Sequence, residues 1–496
     1  MANVTYQSPN TGDTLATMSA GAVRKLWQKG VDIFEQSSDF FTEMEGPSKR
    51  SVIQTKTDTS KGKGQKITFT VLSGFYSEGK TGEQLFETQD DFEEALISDY
   101  EMEVDFLRNA TRWTERTEEY MGMRGELVGG LPEELGKWLG RMKTERLFMM
   151  FNHKGASGNY IYANGKASAD ALVAADVLDY DEIVAMNTQM KRLGGKPAIA
   201  GKMKNGMPLF RQCVVATTDA LYSLELDSNY KQVLREAGNR GEGNYIFQGG
   251  YTDVRGNIIK EYNPIDHDGE GAIGSPLNPK AELGEAITAV DTAPTIKGGG
   301  NATAAAKTKV KYFKWFPNYA YTFQPDDILS VASAPDAFYI LIVNPPDGTA
   351  NANKIGMYEC TINNGNTLTV TKRLRALAAS GTAAVTTIGD VTWNTGVWNG
   401  VHTDSHPAGA TILLCNKKGQ PIGRTLMLGA AAAMRGYGKY RNRRSEEKHE
   451  GGFVKDVFIT SVFGQEPRQD RRGRCPGFMH LTHAVQYAGL PVPTVV

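Results

Sequence analysis

The chain has 496 residues, with 55 Lys plus Arg against 56 Asp plus Glu and 7 His, a formal net charge of -1 and an apolar share of 40%. That balance excludes a protein whose whole surface grips nucleic acid, and the apolar share allows a core that folds without a disulfide scaffold or structural metal. The opening residues lack a basic start followed by an apolar run, and no 18-residue apolar stretch follows, so the expectation is an unsecreted protein outside membranes. Cys213, Cys360, Cys415 and Cys475 fit no CxxC pattern and are expected as reduced thiols.

Residues 1–18 read as an extended arm, and Val23, Leu26, Trp27, Val31 and Phe34 recur at helical spacing over 19–36. In 51–82, Ile67, Phe69 and Val71 alternate with Thr68, Thr70 and Leu72, which predicts a strand between glycine-bearing flanks. The stretch 78–119 holds 14 acidic and 4 basic residues, a net charge of -10. Within it Glu101, Glu103 and Asp105 alternate with Met102, Val104 and Phe106, which predicts a strand with its carboxylates on one face. A solvated sheet face, a charged contact with another subunit and cation binding all fit that pattern.

The segment Glu133 to Lys154 predicts a long helix, with Leu135, Trp138, Leu139 and Met142 on one side. Pairs Glu133 to Lys137 and Arg141 to Glu145 are expected on its polar surface, and Pro132 in its first turn. Tyr180 to Leu193 predicts a second helix, stopped by Gly194 and Gly195. Cys213 to Gly238 predicts a buried strand, a turn at Thr217 to Asp219 and a further helix, and Tyr245 to Ile265 two short apolar runs. From about 275 to 425 Thr, Ala, Gly, Asn and Val dominate, and FYILIV, MYECTI and TLTVTKRL predict short strands of an all-β insertion. TLMLGAAAAMRGYGKY predicts helix, and 454–464 a strand. Across 435–475 there are 11 Lys or Arg and 6 Asp or Glu, net +5, so the charge is separated along the chain. The alternation of strands and helices gives an α+β class.

No GxGxxG, Gly-rich loop ending in Gly-Lys-Ser/Thr, HExxH or GxSxG occurs, and no nucleophile with base and orienter is recognisable. We expect no catalytic residues, no cofactor and no metal site. His402 with His406, and His480 with His483, lack further ligands in suitable spacing and read as surface or packing residues. The segment Met434 to Arg444 mixes five basic residues with Tyr437 and Tyr440, and could touch phosphate, but EEKHE follows at once and dilutes its field.

Six blocks carry a resemblance: GKGQKITFTVLSG (62–74), DFEEALISDYEMEVDFLRNATRW (91–113), CVVATTDALYSL (213–224), NYIFQGGYTDVRGNIIKEYN (244–263), SPLNPKAEL (275–283) and LMLGAAAAMRGYGKYR (426–441). In this order they resemble the tailed-bacteriophage major capsid proteins of the N4-type family, whose members adopt the HK97-like capsid fold. The resemblance implies an N-terminal arm over 1–55 and an extended β-hairpin loop over 56–115. A peripheral domain with its spine helix would span 116–212, axial and peripheral core 213–284, and a return to the core 426–496; the stretch 285–425, with its Gly, Thr and Ala tracts, departs from the family's compact pattern and is expected as a β-rich insertion near the outer surface. It further implies hexamers and pentamers of an icosahedral shell around double-stranded phage DNA, touched weakly and without sequence preference. Portal, scaffold and cement or decoration proteins are the implied partners; the shell is assembled in the host bacterial cytoplasm and ends in the virion capsid.

The opposite charges of the two stretches suggest that Glu101, Glu103 and Asp105 of one subunit face Arg441, Arg443 and Arg444 of another. Two alternatives are a cargo-enclosing compartment protein of the same fold and, motivated by the dense acids, a polysaccharide-acting enzyme with paired carboxylates.

Overall fold

The computed structural model describes residues 3–4, 18–19, 32–58, 60, 65–72, 80–81, 97–114, 116, 124–155, 157–202, 208–238, 252–254, 257–262, 274–288, 295–297, 338–345, 354–364, 367–374, 386–388, 391–393, 405–439, 441–449, 453–470 and 473–487. The chain divides into two compact units. One comprises Met1–Ser48, Ile53–Leu147 and Ala433–Arg472, the other Lys49–Val52, Phe148–Ala432 and Gly473–Val496.

The first unit is organised by the 14-residue strand Val454–Pro467. This strand is antiparallel to Arg443–His449, to Ala433–Tyr437 and to Asp105–Thr114, and Ala433–Tyr437 is parallel to Ile53–Thr57. Lys66–Leu72 and Ile97–Glu103 pair antiparallel as a hairpin, registered Ile67 to Met102 and Phe69 to Tyr100. Its apolar side, Ile67, Phe69 and Met102 with the following Val104, packs on Met434 and Val462 of the sheet.

Two glycines let the hairpin settle there. Gly436 and Gly464 are cross-strand partners. A Cβ on Gly464 would lie 2.2 Å from the Glu103 carbonyl oxygen, and one on Gly436 2.6 Å from the Met102 Cε. The backbone contact at Gly464 excludes any side chain, whereas at Gly436 the nearest atom is the movable end of the Met102 side chain.

Near the N-terminus, helix occupies 32–38, while Met18–Ser19 pair antiparallel with Asn3–Val4 instead of opening a helix. Residues 20–31, with most of the expected apolar stripe, lie outside the described residues.

The long helix runs Arg124–His153. Pro132 therefore sits inside it rather than in a first turn, and the Glu133–Lys137 pair forms at 2.6 Å. The Arg141–Glu145 pair does not ride a polar surface, because Glu145 is buried. From Met142 to Asn152 every residue is buried, Lys143, Thr144, Glu145, Arg146 and Asn152 among them, so burial extends round the helix beyond the apolar stripe read over 135–142.

In the second unit a seven-stranded sheet has the order Thr252–Val254, Asn257–Glu261, Pro208–Ala216, Ile422–Leu428, Phe478–Ala484, Tyr160–Tyr162, with Ala198–Lys202 added to Pro208–Ala216. The helix Tyr180–Arg192 forms as expected: the Asp179 carboxylate accepts the Glu182 N–H at 2.8 Å, and Gly194 takes a positive φ of 90° beyond its end. The helical segment after Thr217 breaks at Asp227 into Thr218–Leu226 and Ser228–Gly238, and Thr217 caps the first without a side-chain bond.

Strands read within 285–425 do form a sheet, in the order Lys280–Glu282, Thr411–Cys415, Phe338–Val343, Ile355–Asn364, Thr367–Leu374, Thr295–Lys297. Its edge strand starts before residue 285. Ile340, Ile342, Leu368 and Ile412 share one apolar cluster with Ile183, Met186, Val214 and Leu481 of the other sheet and helix.

The helix expected at 425–440 is instead two strands, Ile422–Leu428 and Ala433–Tyr437. Ile422–Leu428 lies between two partner strands, largely buried on both faces, so it shows no period-two alternation. Ala431 takes a positive φ of 49°, incompatible with a continuing helix. The four cysteines are free and buried, and burial pushes the Cys213 thiol up to about 12.

Candidate assembly surfaces

On the solvent face of the hairpin Glu101 and Glu103 are exposed, and Lys66 meets Glu101 at 2.8 Å. Asp105 departs from that face. Val104 and Asp105 are both buried, so the alternation slips by one residue where one strand ends and the next begins. The Asp105 carboxylate accepts the Phe106 N–H at 2.7 Å.

The basic stretch is likewise distributed by the fold. Arg435 is fully buried: its Nη1 donates to Asp39 at 2.5 Å and to Glu45. Arg441 is partly exposed, with its guanidinium 4.7 Å from the Tyr437 ring centroid and 3.7 Å from Glu35. Arg443 is exposed on a strand edge, and the side chain of Arg444 lies outside the described residues.

Between the acidic and basic stretches an ion pair among the described residues inverts the expected polarity. Arg112, from the acidic stretch, holds Asp456, from the basic one, through two hydrogen bonds of 2.7 Å. Those bonds keep the Asp456 carboxyl below its usual range.

The acids that neutralise the basic stretch come from residues 32–45. Lys143, fully buried on the long helix, donates to Glu35 and lies 5.0 Å from the Tyr437 ring and 5.2 Å from that of Phe463. Asn442 donates to Asp32 at 2.6 Å and to Glu35, and Thr144 donates to Asp39 at 2.8 Å. Thus the cations Lys143, Arg435 and Arg441 face the carboxyls of Asp32, Glu35, Asp39 and Glu45. Burial raises the pKa of Asp32 and of Glu45 and lowers that of Lys143, while the carboxylates beside Arg435 outweigh its burial and keep it charged.

Sequence reading followed the apolar stripe before Phe34 and passed over these acids. Their spacing at 32, 35 and 39, three and four residues apart, was the available signal of one helix face.

His406, His480 and His483 are buried in packing positions. The His406 ring bonds Tyr358 at 2.7 Å and Asn344 at 2.5 Å. His480 stacks on Tyr160, and buried His483 shares a 3.0 Å bond with Thr425, burial lowering its pKa to about 4. His402 lies outside the described residues. Among the described residues no three His, Cys, Asp or Glu side chains gather as a metal site, and no helix is long and apolar enough to cross a membrane.

No protein-family model and no curated protein matches the chain. Among solved structures it is similar to the capsid of Ralstonia phage GP4, at 13% identity and a TM-score of 0.50 over 99% of each chain. It also matches the head structure of Helicobacter pylori bacteriophage KHP40, at 11% identity and a TM-score of 0.47 over 97% of this chain and 99% of that one. The Cyanophage Pam1 capsid asymmetric unit matches at 11% identity and a TM-score of 0.46, over 90% and 92%. The likeness to the Ralstonia phage GP4 capsid chain shows a shared fold, from one end of the chain to the other.

Proposed function

We propose that the chain is a tailed-bacteriophage major capsid protein with the HK97-like fold, building an icosahedral shell of hexamers and pentamers around double-stranded DNA. The observation that carries the reading is the end-to-end fold likeness to the GP4 capsid chain, with little of either chain left over. The six sequence blocks support the N4-type family in particular. A closed wall requires one subunit to meet its copies through different, complementary surfaces, since a two-fold contact alone stops at a dimer.

The hairpin supplies one such surface. Glu101 and Glu103 are exposed on it, and Arg443 is exposed on another strand, so these residues, together with Arg444, are the pairs we assign to neighbouring copies. Glu101, Asp105 and Arg441 also have partners within their own chain, in Lys66, the Phe106 N–H and Glu35, so their pairing with a neighbouring copy competes with these contacts. Each exposed pair contributes about 0–1 kcal/mol, so the charges select register while apolar contacts provide most of the association. A chain of net charge -1 touches the packaged DNA only weakly. Portal, scaffold and cement proteins are the partners of this reading, with assembly in the host cytoplasm.

Electron microscopy of the purified, overexpressed chain tests it: closed shells or curved sheets are expected, and a discrete small oligomer under all assembly conditions would refute it. Nucleic acid inside particles recovered from infected cells separates a genome shell from a cargo compartment.

A further inference from the structure

The second unit contains a cavity of about 850 Å³ whose lining, among the described residues, includes two cations, Lys166 and Arg424, and no acid. One wall is a row set by strand register. Arg424 pairs with Thr482 across Ile422–Leu428 and Phe478–Ala484, and Thr482 pairs with Tyr162 on the next strand. Directly partnered residues project to one face of a sheet, so Arg424, Thr482 and Tyr162 stand side by side.

The row is held from behind. The Arg424 backbone N–H donates to the Leu277 carbonyl at 2.7 Å, and Pro276 and Pro279 complete the adjoining wall. The Tyr160 hydroxyl, also in the lining, is occupied: it donates to the Phe151 and Asn152 carbonyls at 3.1 Å and accepts the Gly155 N–H at 3.0 Å.

Arg424 is the unsatisfied member. Its Nη1 is buried with no hydrogen-bond partner, and no carboxylate meets its guanidinium among the described residues. The side chains beside it in the lining are those of Tyr160, Tyr162 and Thr482, and burial lowers its pKa. Lys166, in contrast, has Asp176 at 3.7 Å. In the first unit, by comparison, the buried Arg435 is met by two carboxylates. A desolvated cation facing an acid-free cavity is the arrangement of a site completed by an anion from outside.

We propose that this cavity is an oxyanion-binding site in which a carboxylate or phosphate group bonds to Arg424, with Thr482 as a second donor and Lys166 adding positive potential. The anion comes either from solution or from an acidic side chain of a second copy of this chain.

The test uses the full chain and inorganic phosphate or acetate, at ionic strength held constant with sodium chloride. Phosphate or acetate is expected to raise the thermal unfolding midpoint by several degrees, growing logarithmically with concentration, and Arg424→Gln should abolish that response. If Arg424→Gln does not fold, Arg424→Lys keeps the charge but loses the two-pronged donor, and should weaken the response at least several-fold. An unchanged midpoint with both anions, or an equal rise in the Arg424 variant, overturns the site. Light scattering in the same titration identifies the source. Phosphate that separates associated copies marks a second copy's carboxylate, and phosphate that leaves association unchanged marks a solution anion.

Discussion

The two units hold themselves together by different means. In the first, residues 32–45 are fastened to the long helix and the sheet by Lys143, Arg435 and Asn442 bonding to Asp32, Glu35, Asp39 and Glu45. In the second, two sheets and a helix share one apolar cluster that includes Ile183, Val214, Ile340, Ile412 and Leu481. Apolar burial stabilises in proportion to area and tolerates small shifts, whereas a buried ion network roughly balances its own desolvation and is satisfied in one geometry only. The difference teaches that the N-terminal segment is positioned by charge and the second unit is stabilised by packing.

Substitutions should sharpen that contrast. Arg435→Ala leaves Asp39 and Glu45 buried without their cation and should cost about 3–5 kcal/mol, read from urea midpoints. Replacement of Arg435, Asp39 and Glu45 together by apolar residues of similar size should recover most of that loss; if it does not, the network is a net source of stability. Ile340→Ala in the second unit should cost about 2–5 kcal/mol through the cavity it opens, with no recovery available from a charge partner. Gly464→Ala should cost about 1–3 kcal/mol, because the Cβ meets the Glu103 carbonyl, and the loss should appear as faster amide exchange in Lys66–Leu72.

The pH response should differ between the units as well. The raised pKa values of Asp32 and Glu45 mean that the folded state binds protons more tightly than the unfolded chain. Stability of the first unit should therefore fall as pH rises from about 4 through the raised values, then level off. Asp456, whose pKa is lowered by Arg112, acts with the opposite sign, losing its contribution as pH falls through that lowered value. Asp32→Asn together with Glu45→Gln should flatten the first slope in pH-dependent urea midpoints and leave the second. The smallest effect on folding is expected from Arg443→Glu with Arg444→Glu, which should change the urea midpoint little while impairing particle assembly.

The features legible in the sequence were those with a local cause. Tyr180–Arg192 carried its own cap at Asp179, its 3.6-residue apolar spacing and its glycine stop, and it folds as read. The hairpin carried period-two alternation at Ile67 and Phe69. Features with a tertiary cause were not legible. The run around Ala430 has high helix propensity, yet Ile422–Leu428 is a central strand because strands on both sides claim its backbone groups. Asp105 breaks the alternation because its strand pairs with Val454–Pro467, far along the chain. Of the six residues expected at subunit contacts, Glu101, Glu103 and Arg443 are exposed, Asp105 is buried, and the contacts of Glu101 with Lys66 and of Arg441 with Glu35 join residues that are far apart in sequence.

The most direct test is cryo-electron microscopy of particles formed by the purified chain. The account predicts a curved wall in which the hairpin of Lys66–Leu72 and Ile97–Glu103 lies against an adjoining copy, with Glu101 or Glu103 near a basic side chain of that copy. A chain that stays monomeric while fully folded, under every assembly condition, would contradict it.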